Sequence, residues 1–281
     1  MQWQVRGTTL DFSRSSQLMG ILNVTPDSFS DPGRYLSFPR ALAHARRLVA
    51  EGAAIIDVGG ESSRPGSDPV SLEEELARVI PIIRELHAEF PDLLISIDTY
   101  KAETARQALE AGAAIVNDIS AMRADPGMAG IIRAYRPGVI LMHMQGTPKT
   151  MQDAPLYEDV VSEVLRFLRE RRDAAMAGGI PRSCIALDPG FGFGKNVSHN
   201  LALLRAVREF SALGQPIVAG ISKKSTLARL LGNPRLAMSE RFWPSVAFTS
   251  YLREQGTHIL RVHEIKPHLE ALRMTEAIIA A

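Results

Sequence analysis

The chain alternates eight short apolar, β-branched runs with longer amphipathic stretches, and this alternation restricts its fold more than any other feature. The runs are residues 18–22, 54–58, 93–97, 114–116, 139–142, 184–187, 216–219 and 258–262. Such alternation is typical of βαβ units and a parallel sheet. Eight units predict an α/β fold closed into a (β/α)8 TIM barrel. An open, doubly wound sheet is the alternative, because periodicity does not show closure.

The stretches between the runs have the spacing of amphipathic helices. Predicted helices are residues 38–51, 72–89, 102–111, 157–177, 199–210 and 227–231. Several of them end at a glycine that acts as a helix stop, namely Gly52, Gly112, Gly178 and Gly232. Residues 1–16 predict a short N-terminal β-hairpin that covers the opposite end of the barrel. Without a linker or an internal repeat, residues 1–281 are expected to form one domain.

Composition excludes several classes of protein. Lys and Arg total 32 against 31 Asp and Glu, a formal charge of +1, so no overall field attracts nucleic acid or an anionic membrane. The single cysteine, Cys184, excludes a disulfide scaffold and a zinc finger, and its apolar run predicts a buried, inert thiol. No run approaches the roughly 18 apolar residues of a membrane helix, and the first residues lack a signal core. We therefore expect a cytoplasmic protein.

Polar side chains stand at or just after the carboxyl end of every run. They are Asn23, Asp57, Asp98, Asn117, His143, Asp188, Ser222 with Lys224, and Arg261 with His263. One Asn or Asp after a strand is ordinarily a turn former or a helix cap. Because the strand ends of a barrel meet on one face, eight such cases predict one shared site.

The loops after the first two runs carry further candidates. Residues 23–33 form a polar loop with two prolines and a glycine, longer than the usual βα connection, and suit a lid over a substrate. Residues 59–67 offer backbone N–H groups and the guanidinium of Arg64 to an oxyanion. Alone this is a weak phosphate signal, since the chain has neither a P-loop nor a dinucleotide glycine fingerprint.

Residues 187–195, Leu-Asp-Pro-Gly-Phe-Gly-Phe-Gly-Lys, predict a platform for a flat ligand. The glycines let the backbone approach the ligand, and the carboxylate of Asp188 can accept two parallel N–H donors from a heterocycle. Asp98 and Asn117, from neighbouring strand ends, can pair with the other edge of the ring.

The last two strand ends predict an anion site. Residues 220–225 open a helix whose free N–H groups favour an anion. Arg261 and His263 are two positions apart on a strand, so they point to one side and can hold one phosphate together. His143 has two open interpretations, as a structural or as a functional side chain. The remaining histidines lack metal-ligand spacing, and no cluster of paired carboxylates appears.

These motifs together resemble the dihydropteroate synthase family of folate biosynthesis. The resemblance covers residues 18–274 and is carried by residues 19–30, 57–62, 141–146, 188–195 and 261–263. It implies an enzyme that joins 6-hydroxymethyl-7,8-dihydropterin diphosphate to 4-aminobenzoate and releases diphosphate with the help of Mg²⁺, by a dissociative displacement. It also implies a homodimer that sulfonamides inhibit.

The resemblance implies a role for each matching position. Around the pterin it places Asp98, Asn117, Asp188 and Lys224. On the diphosphate it places Asn23, Arg64, Arg261 and His263, with Asn23 also as the ligand of Mg²⁺. On 4-aminobenzoate it places Ser225, Phe29, Ser63 and Pro65. Further expected substrate contacts are Asp57, Met142, Phe193 and Gly220, and the expected catalytic residues are Asp98, Lys224, Arg261 and His263.

Two other functions fit the same motifs. A corrinoid methyltransferase shares the pterin-binding barrel, but it needs no diphosphate clamp. A paralogue without catalytic activity would bind pterin and keep the fold, although decay usually removes some of the matching positions.

Overall fold

A computed structural model describes residues 1–25 and 34–281, so the predicted ligand contact Phe29 and most of the loop 23–33 lie outside the described residues. The strands are β1 (Gln2–Val5), β2 (Thr8–Asp11), β3 (Gln17–Asn23), β4 (Ile55–Gly59), β5 (Leu94–Asp98), β6 (Ile115–Asp118), β7 (Gly138–Met142), β8 (Ile185–Asp188), β9 (Val218–Ala219) and β10 (Ile259–Val262). The helices are α1 (Arg34–Ala50), α2 (Leu72–Glu89), α3 (Ala102–Glu110), α4 (Met128–Tyr135), α5 (Val160–Ala177), α6 (Val197–Arg205), α7 (Ser225–Leu230), α8 (Phe242–Glu254) and α9 (Lys266–Ala280). Every predicted run corresponds to a strand whose ends lie within two residues of the prediction.

The eight strands β3 to β10 form one parallel sheet that closes on itself. Their order is β8-β7-β6-β5-β4-β3-β10-β9. A parallel bridge between Leu187 and Ile217, with a 2.9 Å hydrogen bond from the Leu187 N–H to the Pro216 carbonyl, joins the two ends of that order. The predicted (β/α)8 barrel is therefore confirmed, and the open sheet is wrong.

Helix boundaries follow local capping. Helix α2 begins where predicted, because Ser71 accepts a 3.2 Å hydrogen bond from the Glu74 N–H and three glutamates complement the dipole in its first turn. Helix α5 begins three residues later than predicted, since Asp159 caps it. Helix α1 begins four residues earlier than predicted, at Arg34.

The predicted N-terminal hairpin, β1 with β2, closes the amino-terminal end of the barrel. Trp3 is fully buried, and its indole N–H donates to the Cys184 carbonyl at 2.7 Å. Val5 and Phe12 pack with inward-facing barrel residues such as Met19. Cys184 is buried, and burial raises the pKa of its thiol, as expected for an inert cysteine.

Successive residues of each barrel strand point alternately towards the helices and into the barrel, and this separates core residues from site residues. Outward residues such as Val58, Ile97 and Val262 pack against the helices, so that the residues next to them on each strand face the barrel interior. At the carboxyl end these inward positions are polar, as Asp57 and Arg261 show. Among the helices of the described residues, none is long and apolar enough to cross a membrane.

Candidate active site

A cavity of about 390 Å³ opens at the carboxyl end of the barrel, a size typical of small-molecule sites. It brings together ten of the predicted site residues, namely Asn23, Ser63, Arg64, Pro65, Phe193, Gly220, Lys224, Ser225, Arg261 and His263. It is also lined by residues that no sequence motif singled out, among them Met151, Met238 and Arg241. Met151 lies nine residues beyond the end of β7, in a loop without periodicity, so sequence reasoning had no signal for it.

The floor beneath the cavity is a set of paired acidic and amide groups. Arg261 donates from Nε to Oδ2 of Asp57 at 2.6 Å and from Nη2 to Oδ2 of Asp98 at 2.8 Å. Asn117 donates to the same Asp57 oxygen at 3.1 Å. These three acceptor-bearing residues, with Met142 and Asp188, stand outside the cavity lining itself. Arg261 therefore occupies one oxygen of Asp98, and a ligand that uses this carboxylate shares it with the guanidinium or replaces it.

Burial and neighbouring charges bring the pKa of Asp98 close to neutral pH. Burial raises its pKa to about 7, the nearby Asp57 adds to the increase, and Arg261 opposes it. Burial by itself would lower the pKa of Arg261, but Asp57 and Asp98 together hold it above its ordinary value. Arg261 stays cationic, while Asp98 changes charge near pH 7.

Asp188 and Lys224 both contact the glycine-phenylalanine segment, and their opposite charges interact. Oδ1 of Asp188 accepts from the Gly190 N–H at 2.7 Å, and burial raises the pKa of this carboxyl against the opposing charge of Lys224. Burial lowers the pKa of Lys224 to about 7, although Asp188 opposes the change. The Lys224 ammonium donates to the Phe191 carbonyl and lies 4.5 Å from the centre of the Phe193 ring. Burial therefore disfavours the charged form of both groups, and the opposite charge of each partner counteracts this effect.

Four side chains from three parts of the chain fix the backbone of residues 190–194. Each carbonyl of this segment accepts a hydrogen bond, from Lys195 (twice), Lys224, Gln152 and Tyr157. Gly190 has φ of 68°, and a Cβ there would lie 1.9 Å from the His143 carbonyl oxygen. Only glycine fits that approach.

His143 has a structural role in this arrangement. Its Nδ1 lies 2.9 Å from Nζ of Lys195, and burial beside Lys195 and Arg123 lowers its pKa to about 2. A neutral imidazole accepts from the lysine, which in turn holds the Gly190 and Phe193 carbonyls at 2.9 Å each. Lys195 ends the glycine-phenylalanine motif, but no role for it was predicted from the sequence.

The cavity lining also includes Arg64, Lys223 and His263. Arg64 is exposed at the rim, and His263 pairs through Nδ1 with the Ser222 hydroxyl at 2.9 Å. Burial, with Arg261 and Lys223 nearby, lowers the pKa of His263 to about 3, so it supplies an N–H donor rather than a charge. Lys223 lines the cavity while its ammonium pairs with Glu264.

Arg261 and His263, predicted to grip one phosphate, have different partners in this structure. Arg261 pairs with two carboxylates of the floor, whereas His263 pairs with Ser222. A shared phosphate therefore stays a prediction for the liganded protein.

The donor set decides how Mg²⁺ would fit. Across residues 1–25 and 34–281, no group of three or more His, Cys, Asp or Glu side chains can hold a metal ion. Asn23 lines the cavity at the end of β3 and can offer one amide oxygen. Mg²⁺ commonly keeps several waters and binds substrate phosphates with one or two protein ligands. The residues present therefore fit a Mg²⁺ ion that a diphosphate brings with it.

The pterin binding enzyme family matches residues 19–263 of the chain. That match spans strands β3 to β10 and contains every predicted site residue. The barrel and the site at its carboxyl end are therefore those of a pterin-binding enzyme.

Comparison with known proteins identifies a family within this class. Over all 281 residues the chain is 46% identical to the dihydropteroate synthase of Escherichia coli strain K12 and covers 98% of it. The structure of Yersinia pestis dihydropteroate synthase with a sulfonamide drug matches with a TM-score of 0.93 at 43% identity, with both chains fully covered. Xanthomonas albilineans dihydropteroate synthase with 4-aminobenzoic acid gives 0.92 at 43% identity, covering 100% of this chain and 98% of that one. The chain belongs to the dihydropteroate synthase family and is a transferase.

Family membership excludes one of the two alternative functions that the motifs left open. It excludes the corrinoid methyltransferase, because the relatives at this identity over the whole chain are dihydropteroate synthases. An activity assay has to test whether the protein is an inactive paralogue.

Proposed function

We propose that the protein condenses 6-hydroxymethyl-7,8-dihydropterin diphosphate with 4-aminobenzoate to give 7,8-dihydropteroate and diphosphate. The observation that carries this proposal is a cavity with cationic side chains in its lining and with carboxylates and an amide in the layer beneath it, joined to the lining by Arg261. Such a floor suits the N–H groups of a pterin ring, and such a rim suits a diphosphate. The complex of the Xanthomonas relative with 4-aminobenzoic acid supports the second substrate.

The proposed displacement is dissociative. The bond from the methylene carbon to the diphosphate oxygen breaks first, and its electron pair leaves on the diphosphate. The resulting cation is delocalised into the electron-rich dihydropterin ring. The amine nitrogen of 4-aminobenzoate then attacks the methylene carbon and loses a proton to solvent. Because this amine is neutral at pH 7, the step needs no strong general base.

The floor residues bind the pterin in this proposal. Asp188 accepts from two neighbouring N–H groups of the ring, while Asp98 and Asn117 bind its other edge. Lys224 donates to the ring in its protonated form. The carboxylates also place negative charge beside the cation that forms when diphosphate leaves, which stabilises the transition state.

The rim residues bind the departing diphosphate and then the amine. Arg64 and Arg261 supply positive charge to the phosphate oxygens, and His263 supplies an N–H donor. Asn23 would hold Mg²⁺, which when bound supplies further stabilisation of the charge on the leaving group. Expected contacts of 4-aminobenzoate are Ser63, Pro65, Phe193 and Ser225, all in the cavity lining.

We further propose that the protein is a homodimer. Helices α8 and α9 carry large apolar side chains that are exposed, with Trp243 at 71%, Met274 at 66% and Ile278 at 74%. Met274 and Ile278 are four residues apart and share one helix face. Light scattering at micromolar concentration tests this, and a monomeric mass would contradict it. A cytoplasmic location and a single domain over residues 1–281 stay predictions from the sequence.

Diphosphate release is the decisive assay. We expect release that depends on both substrates and on Mg²⁺, with formation of 7,8-dihydropteroate in equal amount. Release with the pterin substrate alone would indicate a hydrolase. Binding of the pterin substrate without any release would indicate the inactive paralogue.

A further inference from the structure

A buried ion cluster holds the base of the loop between β4 and α2, which carries Ser63, Arg64 and Pro65. We call Glu61, Glu75, Tyr100 and Lys101 the anchor cluster. The Lys101 ammonium donates to Glu61 Oε2 at 2.7 Å, to Glu75 Oε2 at 2.8 Å and to the Val70 carbonyl at 2.7 Å. One lysine therefore binds both ends of the loop and the helix that follows it.

The cluster is buried and almost fully paired. Side-chain exposure is 1% for Glu75, 10% for Glu61 and 19% for Lys101. The Tyr100 hydroxyl donates to Glu61 Oε1 at 2.5 Å, and the Val70 N–H donates to Oε2 at 3.2 Å. Burial by itself would lower the pKa of Lys101, but Glu61 and Glu75 hold it above its ordinary value. Lys101 is therefore charged at neutral pH, and its loss would leave two carboxylates without the cation that balances them.

Contacts on the outer side of the loop are weaker. The Gly66 N–H donates to the Pro148 carbonyl at 3.0 Å, and Lys149 pairs with Asp68 at 2.8 Å. Both members of that pair are mostly exposed, with side chains at 63% and 78%. An exposed pair contributes little to the position of a loop. The inner cluster therefore holds the two ends of the loop, and the exposed pair adds less to its position.

We propose that Lys101 is a positioning residue that sets the affinity for 4-aminobenzoate. It fixes residues 61 and 70, and the tip between them carries Ser63 and Pro65 into the cavity lining. Lys101 itself is outside that lining, so it acts on the substrate only through the loop. This inference rests on the proposed function and adds a residue that determines the KM of the second substrate.

The test compares Lys101→Met with Lys101→Arg, and with Lys149→Met as a matched control on the exposed side of the loop. For Lys101→Met we expect the KM for 4-aminobenzoate to rise about tenfold or more, with kcat changed by less than about threefold, because misplacement of a contact by about 1 Å has effects of this size. Lys101→Arg should restore the KM to within about threefold of the parent, since arginine can pair with both carboxylates. Lys149→Met should match the parent.

Calorimetry with 6-hydroxymethylpterin, which lacks the diphosphate, shows whether the floor is intact. We expect equal affinity in the parent and in Lys101→Met. An unchanged KM for 4-aminobenzoate in a folded Lys101→Met would overturn the proposal. A loss of pterin affinity, kcat and thermal stability in parallel would also overturn it, because it would indicate a purely structural role.

Two further measurements keep the test decisive. If Lys101→Met does not fold, Tyr100→Phe removes one hydrogen bond to Glu61 and should raise the same KM by about threefold, the loss expected for one buried bond. If the parent releases no diphosphate, the proposed function fails. Sulfonamide binding in the presence of diphosphate and Mg²⁺ then tests Lys101 separately, with weaker binding expected in Lys101→Met and equal binding contradicting its role.

Discussion

Nε of Arg261 lies 2.6 Å from Oδ2 of Asp57, while the other arm of the guanidinium binds Asp98. The same cation that is expected to bind diphosphate therefore balances two buried carboxylates in the unliganded site. Any anion that takes Arg261 away changes the charge that Asp98 prefers. Binding of diphosphate and protonation of Asp98 are thus linked, and each must alter the other.

Replacing Arg261 should change the pH dependence as well as the affinity. Arg261 lowers the pKa of Asp98 against the effect of burial, so Arg261→Ala should raise it above about 7. We expect the acid limb of kcat/KM for the pterin substrate to move to higher pH, and diphosphate to bind at least about tenfold more weakly after loss of a charge-assisted pair.

Arg253→Ala is the control for this change, since Arg253 pairs with Glu276 in the described structure and does not line the cavity. The sequence alone predicts that a pterin without diphosphate binds almost unchanged to Arg261→Ala. The contact between Arg261 and Asp98 further predicts that the pH dependence of that binding differs between Arg261→Ala and the parent. An acid limb that does not move would show that Arg261 and Asp98 are not coupled.

Asp188→Asn should weaken binding of the pterin substrate far more than it alters folding. The new amide oxygen can still accept from the Gly190 N–H, so the loop keeps its 2.7 Å hydrogen bond. Its NH2 group, however, faces the ring donors and leaves at least one of them unpaired. We expect a loss of about 2 kcal/mol, or roughly 30-fold in Kd. Calorimetry measures this, and parental affinity in the folded variant would remove the role assigned to Asp188.

Lys224 should make the protein less stable at low pH. Its pKa falls from 10.5 to about 7 in the folded protein, so between these values the unfolded chain holds a proton that the folded protein has released. This group therefore destabilises the fold most below about pH 7, and the effect vanishes as pH rises toward 10.5. Lys224→Met should be inactive, with its gain in Tm over the parent largest at pH 6 and smallest at pH 10. A gain independent of pH would contradict the shifted pKa.

Binding is expected to be ordered, with the pterin substrate before 4-aminobenzoate. Arg64 is exposed at the tip of its loop and lines the cavity, so an arriving anion can reach its guanidinium. Diphosphate on Arg64 would draw Ser63 and Pro65 into place, and the second site would then be formed by the first ligand. Sulfonamide titrations without and with diphosphate plus Mg²⁺ measure the coupling. Micromolar binding to the bare protein, unaffected by diphosphate, would show a preformed pocket.

The barrel and its mouth were predictable because continuous apolar runs and the polar residues at their ends are local properties of the chain. The positions of Asp98 and Arg261 at the ends of their runs suffice to place both on one face, since every parallel strand of a barrel ends there. Their mutual pairing could not be predicted, because it depends on side-chain rotamers across 163 residues of sequence. Lys195 and Lys101 were likewise missed as organising residues. A lysine in sequence signals a solvated charge, and only tertiary contacts show that it is buried among acceptors.

Closure of the barrel depends on β10, the last of its eight strands in the sequence. Strand β3 pairs with β10, whose first residue follows β3 by more than 230 positions, and Gln17 N–H donates to the His258 carbonyl at 2.9 Å. Such distant pairing is slow to form, and until it forms β3 has an open edge. Because β10 also delivers Arg261, the fold and the anion site are completed by the same event. The order in which diphosphate affinity and native fluorescence return during refolding therefore reports when the barrel closes.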